Sequence, residues 1–251
     1  MSILEKVVSS KRASPRRTLL YGVHGVGKSC FAAKWPKPVF VQTEDGIADL
    51  DVASFPLATT LQAAWEPVIA LGSEEHDFKT IVIDSADWLE KLIWDSVCKK
   101  TGKDHISDFG YGKGYAEAAQ KLGAYLSSLN DCRNVGMHVI VIAHAAISRF
   151  ESPEGESYDR YAPKLHRESA AILQEWADEV LFATYKVFTA TKQEGLGRER
   201  AVGIGTGERI IKTTERSAHN AKNRLGLPDE MSLDFSEYAK FLSSQGVNVN
   251  G

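Results

Sequence analysis

Thr18-Leu19-Leu20-Tyr21-Gly22-Val23-His24-Gly25-Val26-Gly27-Lys28-Ser29 decides how the rest of the chain is read. A short apolar run, a strand candidate, enters a Gly-x-x-x-x-Gly-Lys-Ser loop, and a helix is expected from Cys30 to Trp35. Strand, loop and helix in that order are the context in which this pattern has physical meaning. Glycines let the backbone wrap an anion with its N–H groups pointing inward, and the following helix presents its positive end. Lys28 is placed to reach β- and γ-phosphates, and the Ser29 hydroxyl to ligate magnesium. The expected nucleotide-binding set is therefore Gly22, Val23, His24, Gly25, Val26, Gly27, Lys28, Ser29 and Cys30, with His24 read as solvent-facing.

Outward from this loop, strands alternate with helices. Val39-Phe40-Val41 is a second strand, Thr80-Ile81-Val82-Ile83 a third, and His138-Val139-Ile140-Val141-Ile142-Ala143 a fourth. Helical patterns cover residues 60–71, 86–100 and 115–130. This alternation predicts an α/β fold with a mostly parallel central sheet and helices on both faces. After Ala143 the texture changes. Residues 145–165 are rich in Ser, Pro, Gly and acids and read as a long exposed loop; a helix at about 166–177 leads to a strand at 179–183. Residues 185–214 alternate apolar and polar around Gly195-Leu196-Gly197 and Thr206-Gly207, the pattern of antiparallel hairpins added near the C-terminus. The expected organisation is a basic flexible tail at 1–15, one ATPase-type domain at 16–235, and a C-terminal helix and tail at 236–251.

Composition agrees with a globular chain: 251 residues, 43% hydrophobic and 25% charged. Three cysteines, Cys30, Cys98 and Cys132, make neither a disulfide framework nor a zinc ribbon, and point to a reducing compartment. The start lacks the apolar core of a secretory signal, and no run is long enough to span a bilayer. The net charge of −3 is unevenly spread. Residues 1–17 carry five Lys/Arg against one Glu, and residues 186–224 carry nine against four Glu. Two basic segments on an acidic body suggest an anionic partner, or simply two solvated segments.

Candidate chemistry lies at strand ends. Asp84, closing a strand read as lying beside the first, is placed to hold magnesium through water; the competing reading is a cap for the next helix. Asp87 reads as a first-turn helix charge. Glu44, in Thr43-Glu44-Asp45-Gly46, is placed to contact an attacking water, unless Asp45-Gly46 marks only a polar turn. His144 ends the fourth strand, facing a γ-phosphate or buried and satisfied.

These residues, in this order, resemble the RecA-like group of P-loop ATPases. They look most like phage-encoded, core-only recombinase relatives of the Sak single-strand-annealing type, which share an AAA-family nucleotide-binding domain. The resemblance spans residues 16–235; its more specific parts are Phe109-Gly110-Tyr111-Gly112-Lys113-Gly114-Tyr115 and the segment from Lys222 to Pro228. It implies an ATP- and Mg2+-dependent ATPase acting on single-stranded DNA in recombination, annealing or replication. Glu44 maps onto the hydrolytic base, and His144 onto a strand-end sensor that is usually glutamine. Residues 104–115 and 145–165 map onto DNA-binding loops. In them, Tyr111, Tyr115 and Lys113, and Arg149 and Arg160, combine stacking faces with phosphate-binding cations. The resemblance further implies a head-to-tail homo-oligomer, ring or filament, with a late cation completing a neighbour's site; Arg209, Lys212, Lys222 and Arg224 are the candidate set. A single-strand-binding protein is a further candidate partner, no membrane is involved, and a cytoplasmic phage protein in a bacterial host is implied. The larger DNA-pairing domains are absent, so full strand exchange is not implied. Rival readings are a nucleic-acid-free AAA-type switch or motor, a nucleotide kinase, and a binding module with a structural ATP site.

Overall fold

A computed structural model describes residues 14–153, 155–194 and 198–247. Six parallel strands carry the frame: β1 (Arg17–Gly22), β2 (Pro38–Gln42), β3 (Ala53–Ser54), β4 (Thr80–Asp84), β5 (His138–Phe150) and β7 (Glu179–Glu194). Three more pair antiparallel: β8 (Arg198–Lys212) with β7, β9 (Lys222–Asn223) with β7, and β10 (Glu230–Ser232) with β8. The order across the sheet is β10-β8-β7-β1-β5-β4-β2-β3, with β6 (Tyr158–Pro163) pairing the outer half of β5. The expected fold class is what the structure has. The hairpin turn expected at residues 195–197, and the expected basic tail as far as residue 13, fall outside the described residues.

The buried strands read as continuous apolar runs because both faces are covered. Alternation assigns each side chain to a face. Leu19, Tyr21, Val39, Val41, Ile81, Ile83, Val139, Val141, Val180 and Phe182 pack in one core. Helices α2 (Leu61–Ser73), α3 (Ala86–Thr101), α4 (Lys113–Asn134) and α5 (Arg167–Trp176) contribute to it. Leu20, Phe40, Val82, Ile140, Ile142 and Leu181 point the other way, towards α1 (Lys28–Ala32) and α6 (Phe235–Ser244), through Phe31, Tyr238 and Leu242. Thr60 starts α2 by accepting from Ala63 N at 3.1 Å, an N-cap that satisfies one of the helix's free donors.

Two expectations are corrected. The Asp84 strand does not lie beside the P-loop strand: β5 runs between them, so β4 pairs β5 and β2 instead. Residues 145–165 are not a long loop. Strand β5 continues to Phe150 and turns back as β6, with Ala145 opposite Pro163 and Phe150 opposite Tyr158. The hairpin is tied down by Tyr161 N donating to Ala218 O (2.8 Å) and Asn220 N to Tyr161 O (3.1 Å). Its polar, half-exposed residues conceal the strand period, and only the returning partner reveals it.

At the opposite end of the sheet, Glu179 opens β7 with no exposed surface. Its Oε1 lies 3.4 Å from Arg16 and its Oε2 accepts from Thr18 Oγ1 at 3.2 Å. Burial dominates over that cation and raises the carboxyl to about 7 from an ordinary 4.5. The folded state therefore holds a proton that the unfolded chain releases. This stabilisation is complete below the unfolded value and is lost as pH rises through the folded one. Glu179→Gln is expected to stabilise the protein by about 1–3 kcal/mol at pH 8 and by much less at pH 5. Thermal unfolding at the two pH values checks this; an equal effect at both would refute it.

Candidate nucleotide site

The site forms at the C-terminal ends of the parallel strands, where β1 meets neighbours running to opposite sides of the sheet. Clefts in open α/β sheets form at such a reversal of strand order. Strand β1 ends at Gly22, and a Cβ there would meet the Ala183 carbonyl oxygen of β7 at 2.1 Å. Only glycine fits that approach. Gly25 (φ 70°) and Gly27 (φ 100°) then take left-handed conformations that turn the loop. Helix α1 begins at Lys28 and has only five residues, earlier and shorter than expected. So short a helix adds little dipole, and anion binding falls to the loop N–H groups and to side chains.

Lys28 is buried, its Nζ donating to Gly22 O (3.2 Å) and Val23 O (3.1 Å). Burial lowers its pKa, against the pull of Asp84, Glu44 and Asp87. Ser29 Oγ, at the start of α1, donates to Asp84 Oδ2 at 2.7 Å, although β1, which leads into that loop, and β4 are not neighbours. Asp84 is buried and its carboxyl raised by that burial, with the Ser29 hydrogen bond and Lys28 opposing. The end of β2 is fastened to the end of β4. Thr43 N donates to Asp84 O (2.8 Å), and Thr43 Oγ1 donates to Ser85 O (2.7 Å) while accepting from Ser85 N (2.9 Å). This clamp carries Glu44 into the same cleft. Burial raises the Glu44 carboxyl, His144 opposing.

A cleft of about 440 Å³ collects these groups: Gly25, Gly27, Lys28, Ser29, Glu44, Asp84 and His144 all line it. A larger hollow of about 730 Å³, between residues 73–79 and Val135–Gly136, contains none of the motif residues. On the other side of Gly27 and Cys30 a second cleft of about 460 Å³ opens between Phe31, Leu233 and Phe235. Arg209 reaches into this corner: a Cβ on Gly27 would stand 3.0 Å from its Nη1.

Several side chains differ from their sequence reading. Asp87 is not a plain first-turn charge. It is buried, accepts from His144 N at 3.1 Å, and holds His144 Nδ1 at 3.0 Å. Burial pushes its carboxyl up, but the His144 contacts together outweigh this and keep it below its ordinary value. His24 is exposed, as expected, yet its ring stacks on His144 with centroids 4.2 Å apart; proximity to His144, then burial, lowers its pKa. The sequence signal for Asp87 was phase: it and Glu90 sit among the buried positions of α3, Ala86, Leu89 and Ile93, where a solvated charge does not belong. Glu90 accepts from His166 N at 3.0 and 3.1 Å and so anchors the start of α5.

The candidate DNA contacts separate into two groups. Tyr111 is fully exposed at φ 56° between Gly110 and Gly112, and Lys113 beside it is exposed. Tyr115 instead turns inward, one face stacked on His166 at 4.1 Å and the ring at right angles to Trp94 at 5.5 Å. Arg149 lies 3.4 Å from Asp159; Arg160 lies 3.3 Å from Glu215 and over the Phe150 ring at 4.2 Å. Of the late cations, Lys222 opens the two-residue strand β9, and its Nζ donates to Gln174 O, Glu175 O and Ala177 O (3.0, 3.0 and 2.6 Å). Those bonds use all its hydrogens to close the end of α5. Lys212 pairs with Glu230 at 3.5 Å and Arg224 with Asp178 at 3.6 Å.

Among the described residues no cluster of three His, Cys, Asp or Glu could hold a metal by itself, and no helix is long and apolar enough to cross a membrane. Magnesium does not need such a cluster: it keeps several waters and binds through one or two protein oxygens plus phosphates. Ser29 Oγ and Asp84 Oδ2, both hard oxygen donors and 2.7 Å apart, fit that role. No curated protein matches the chain significantly. Residues 14–225 match the family model described as an AAA domain. That span holds the loop, the strand-end carboxylates and the His144 strand, and the chain belongs to the AAA-domain family of ATPases.

Proposed function

We propose that the protein is a RecA-like, ATP- and Mg2+-dependent ATPase of the phage Sak-type group that acts on single-stranded DNA in recombination, annealing or replication. The observation that carries the catalytic half is the Ser29–Asp84 contact at 2.7 Å, in one cleft with Lys28 and Glu44. Lys28 offsets β- and γ-phosphate charge, and Glu44 takes the proton of the attacking water. Ser29 and Asp84 hold the magnesium, which when bound offsets charge on the phosphate oxygens. The nucleoside end extends past Gly27 into the cleft of Phe31, Leu233 and Phe235, with Arg209 acting in its own subunit beside the loop.

The DNA half is supported by Tyr111 and Lys113: a ring presented to solvent between glycines, next to a free-standing cation. Head-to-tail assembly is part of the same proposal. Lys212, 3.5 Å from Glu230, and Arg224, its side chain 58% exposed and 3.6 Å from Asp178, are the late cations offered to a neighbour's site. The internal pairing of Arg149 and Arg160 favours the second reading, an AAA-type switch without nucleic acid. ATP hydrolysis with Mg2+, with and without single-stranded DNA at low salt, separates the two. Stimulation that fades as salt rises, and that Tyr111→Ala with Lys113→Ala removes, supports the proposal. Turnover indifferent to DNA, with no DNA binding, supports the switch.

A further inference from the structure

Strand β5 separates the P-loop strand from the Asp84 strand, and His144 stands in register with Gly22. Its imidazole therefore enters the cleft between the phosphate loop and the two strand-end carboxylates. Few of its degrees of freedom are left open. Asp87 Oδ1 takes the backbone N–H at 3.1 Å, and the same carboxylate lies 3.0 and 3.2 Å from Nδ1. One side chain thus grips His144 at two points, while His24 covers one face of the ring at 4.2 Å. The far nitrogen, Nε2, lies 3.9 Å from Glu44 Oε1. A carboxylate can only accept, so Nδ1 carries a hydrogen and a neutral ring has its lone pair on Nε2.

We propose that Asp87 is a positioning residue of the hydrolytic site: it fixes His144 as the Nδ1–H tautomer and aims Nε2 at Glu44, so that His144 relays the proton Glu44 takes from water. The inference rests on the ATPase reading of the cleft. In the step, the water oxygen bonds to the γ-phosphorus as one water O–H bond breaks, and the bond from that phosphorus to the leaving oxygen breaks. The proton bonds to Glu44. That O–H bond then breaks as Nε2–H forms. The imidazolium produced lies between Glu44 and Asp87, whose negative charges offset it, and Glu44 is again a carboxylate. A buried acid that orients a histidine and stabilises its charged form is a recurrent device in proton transfer. What is distinctive here is its source, the first turn of the helix that follows the metal-binding aspartate.

Two measurements test it. The first is nitrogen-15 NMR of histidine-labelled protein, with His144 assigned by the signals lost in His144→Gln. The wild type is expected to show the Nδ1–H pattern, and Asp87→Ala a shift towards the Nε2–H form. The second is a kinetic cycle. Asp87→Asn, nearly isosteric, is expected to lower kcat about 10- to 100-fold with KM changed less than about threefold. In a His144→Gln background the same change is expected to cost less than about twofold, because the group it positions is gone. Multiplicative losses in the two backgrounds, a KM effect without a kcat effect, or an unchanged tautomer in Asp87→Ala would each overturn the assignment. If Asp87→Ala does not fold, the wild-type tautomer and the Asp87→Asn cycle still decide. A wild type with the Nδ1–H tautomer but no ATP turnover would remove the ATPase reading and leave the Asp87 contact standing; a wild type that turns over ATP with the Nε2–H tautomer would remove only the relay.

Discussion

Lys28→Ala is expected to lower kcat/KM for ATP by at least about a thousandfold while the protein stays folded. The lysine is 6% exposed and spends its hydrogens on two loop carbonyls, Gly22 O and Val23 O. The charges that act on it from nearby, those of Asp84, Glu44 and Asp87, are carboxylates. A triphosphate brings more negative charge to the cleft, and Arg209, at the Gly27 corner, lies on the far side of the loop from it. The loop backbone does not need the lysine for its shape, because that shape comes from Gly22 against Ala183 and from the left-handed Gly25 and Gly27. ATP affinity should weaken strongly and phosphate release should vanish, with the melting transition retained. Unimpaired turnover by a folded Lys28→Ala protein would dispose of the catalytic proposal.

Glu44→Gln is expected to reduce kcat by about 100- to 1,000-fold with ATP affinity changed only a few-fold. The amide keeps the size and polarity of the side chain but cannot accept a proton from water. Burial raises the Glu44 carboxyl above its ordinary value. It is protonated and idle on the acid side of that raised value, so wild-type kcat should climb as pH rises through it. The residual activity of the Gln variant should lack that limb. Nucleotide binding by fluorescence and single-turnover phosphate release distinguish the two steps. Weakened binding with an unchanged rate constant would show that Glu44 only shapes the cleft.

The sheet strands were legible because β-branched and aromatic runs buried on both faces have no competing reading: Thr80-Ile81-Val82-Ile83 and Val139-Ile140-Val141-Ile142 lie where expected. The hairpin after Ala143 was not, because Ser148, Arg149 and Asp159 occupy exposed positions whose pairing is decided by the opposite strand. Tyr115 looked like a stacking platform beside Tyr111. Helical phase separates them: Tyr111 sits on a left-handed turn before α4, whereas Tyr115 lies in its first turn, against His166 and Trp94. Arg209 reads from sequence as one of four interchangeable late cations. β8 pairing places Arg209 opposite Tyr185, and the arginine lies against the chain's own P-loop.

The sequence alone determined the phosphate loop, the apolar strands and the acids at their ends, because each rests on local rules: left-handed glycines, strand burial and a strand's length. Strand order was decided only in the tertiary structure, by which apolar faces pack together across the sheet. With β5 inserted between β1 and β4, the acids at positions 44 and 84 and the histidine at 144 share one cleft, and Asp87 holds that histidine from behind. No spacing in the chain encodes that meeting. It follows from contacts between residues 57 positions apart, as Asp87 and His144 are, whose hydrogen bonds form once the core on both faces of the sheet has packed.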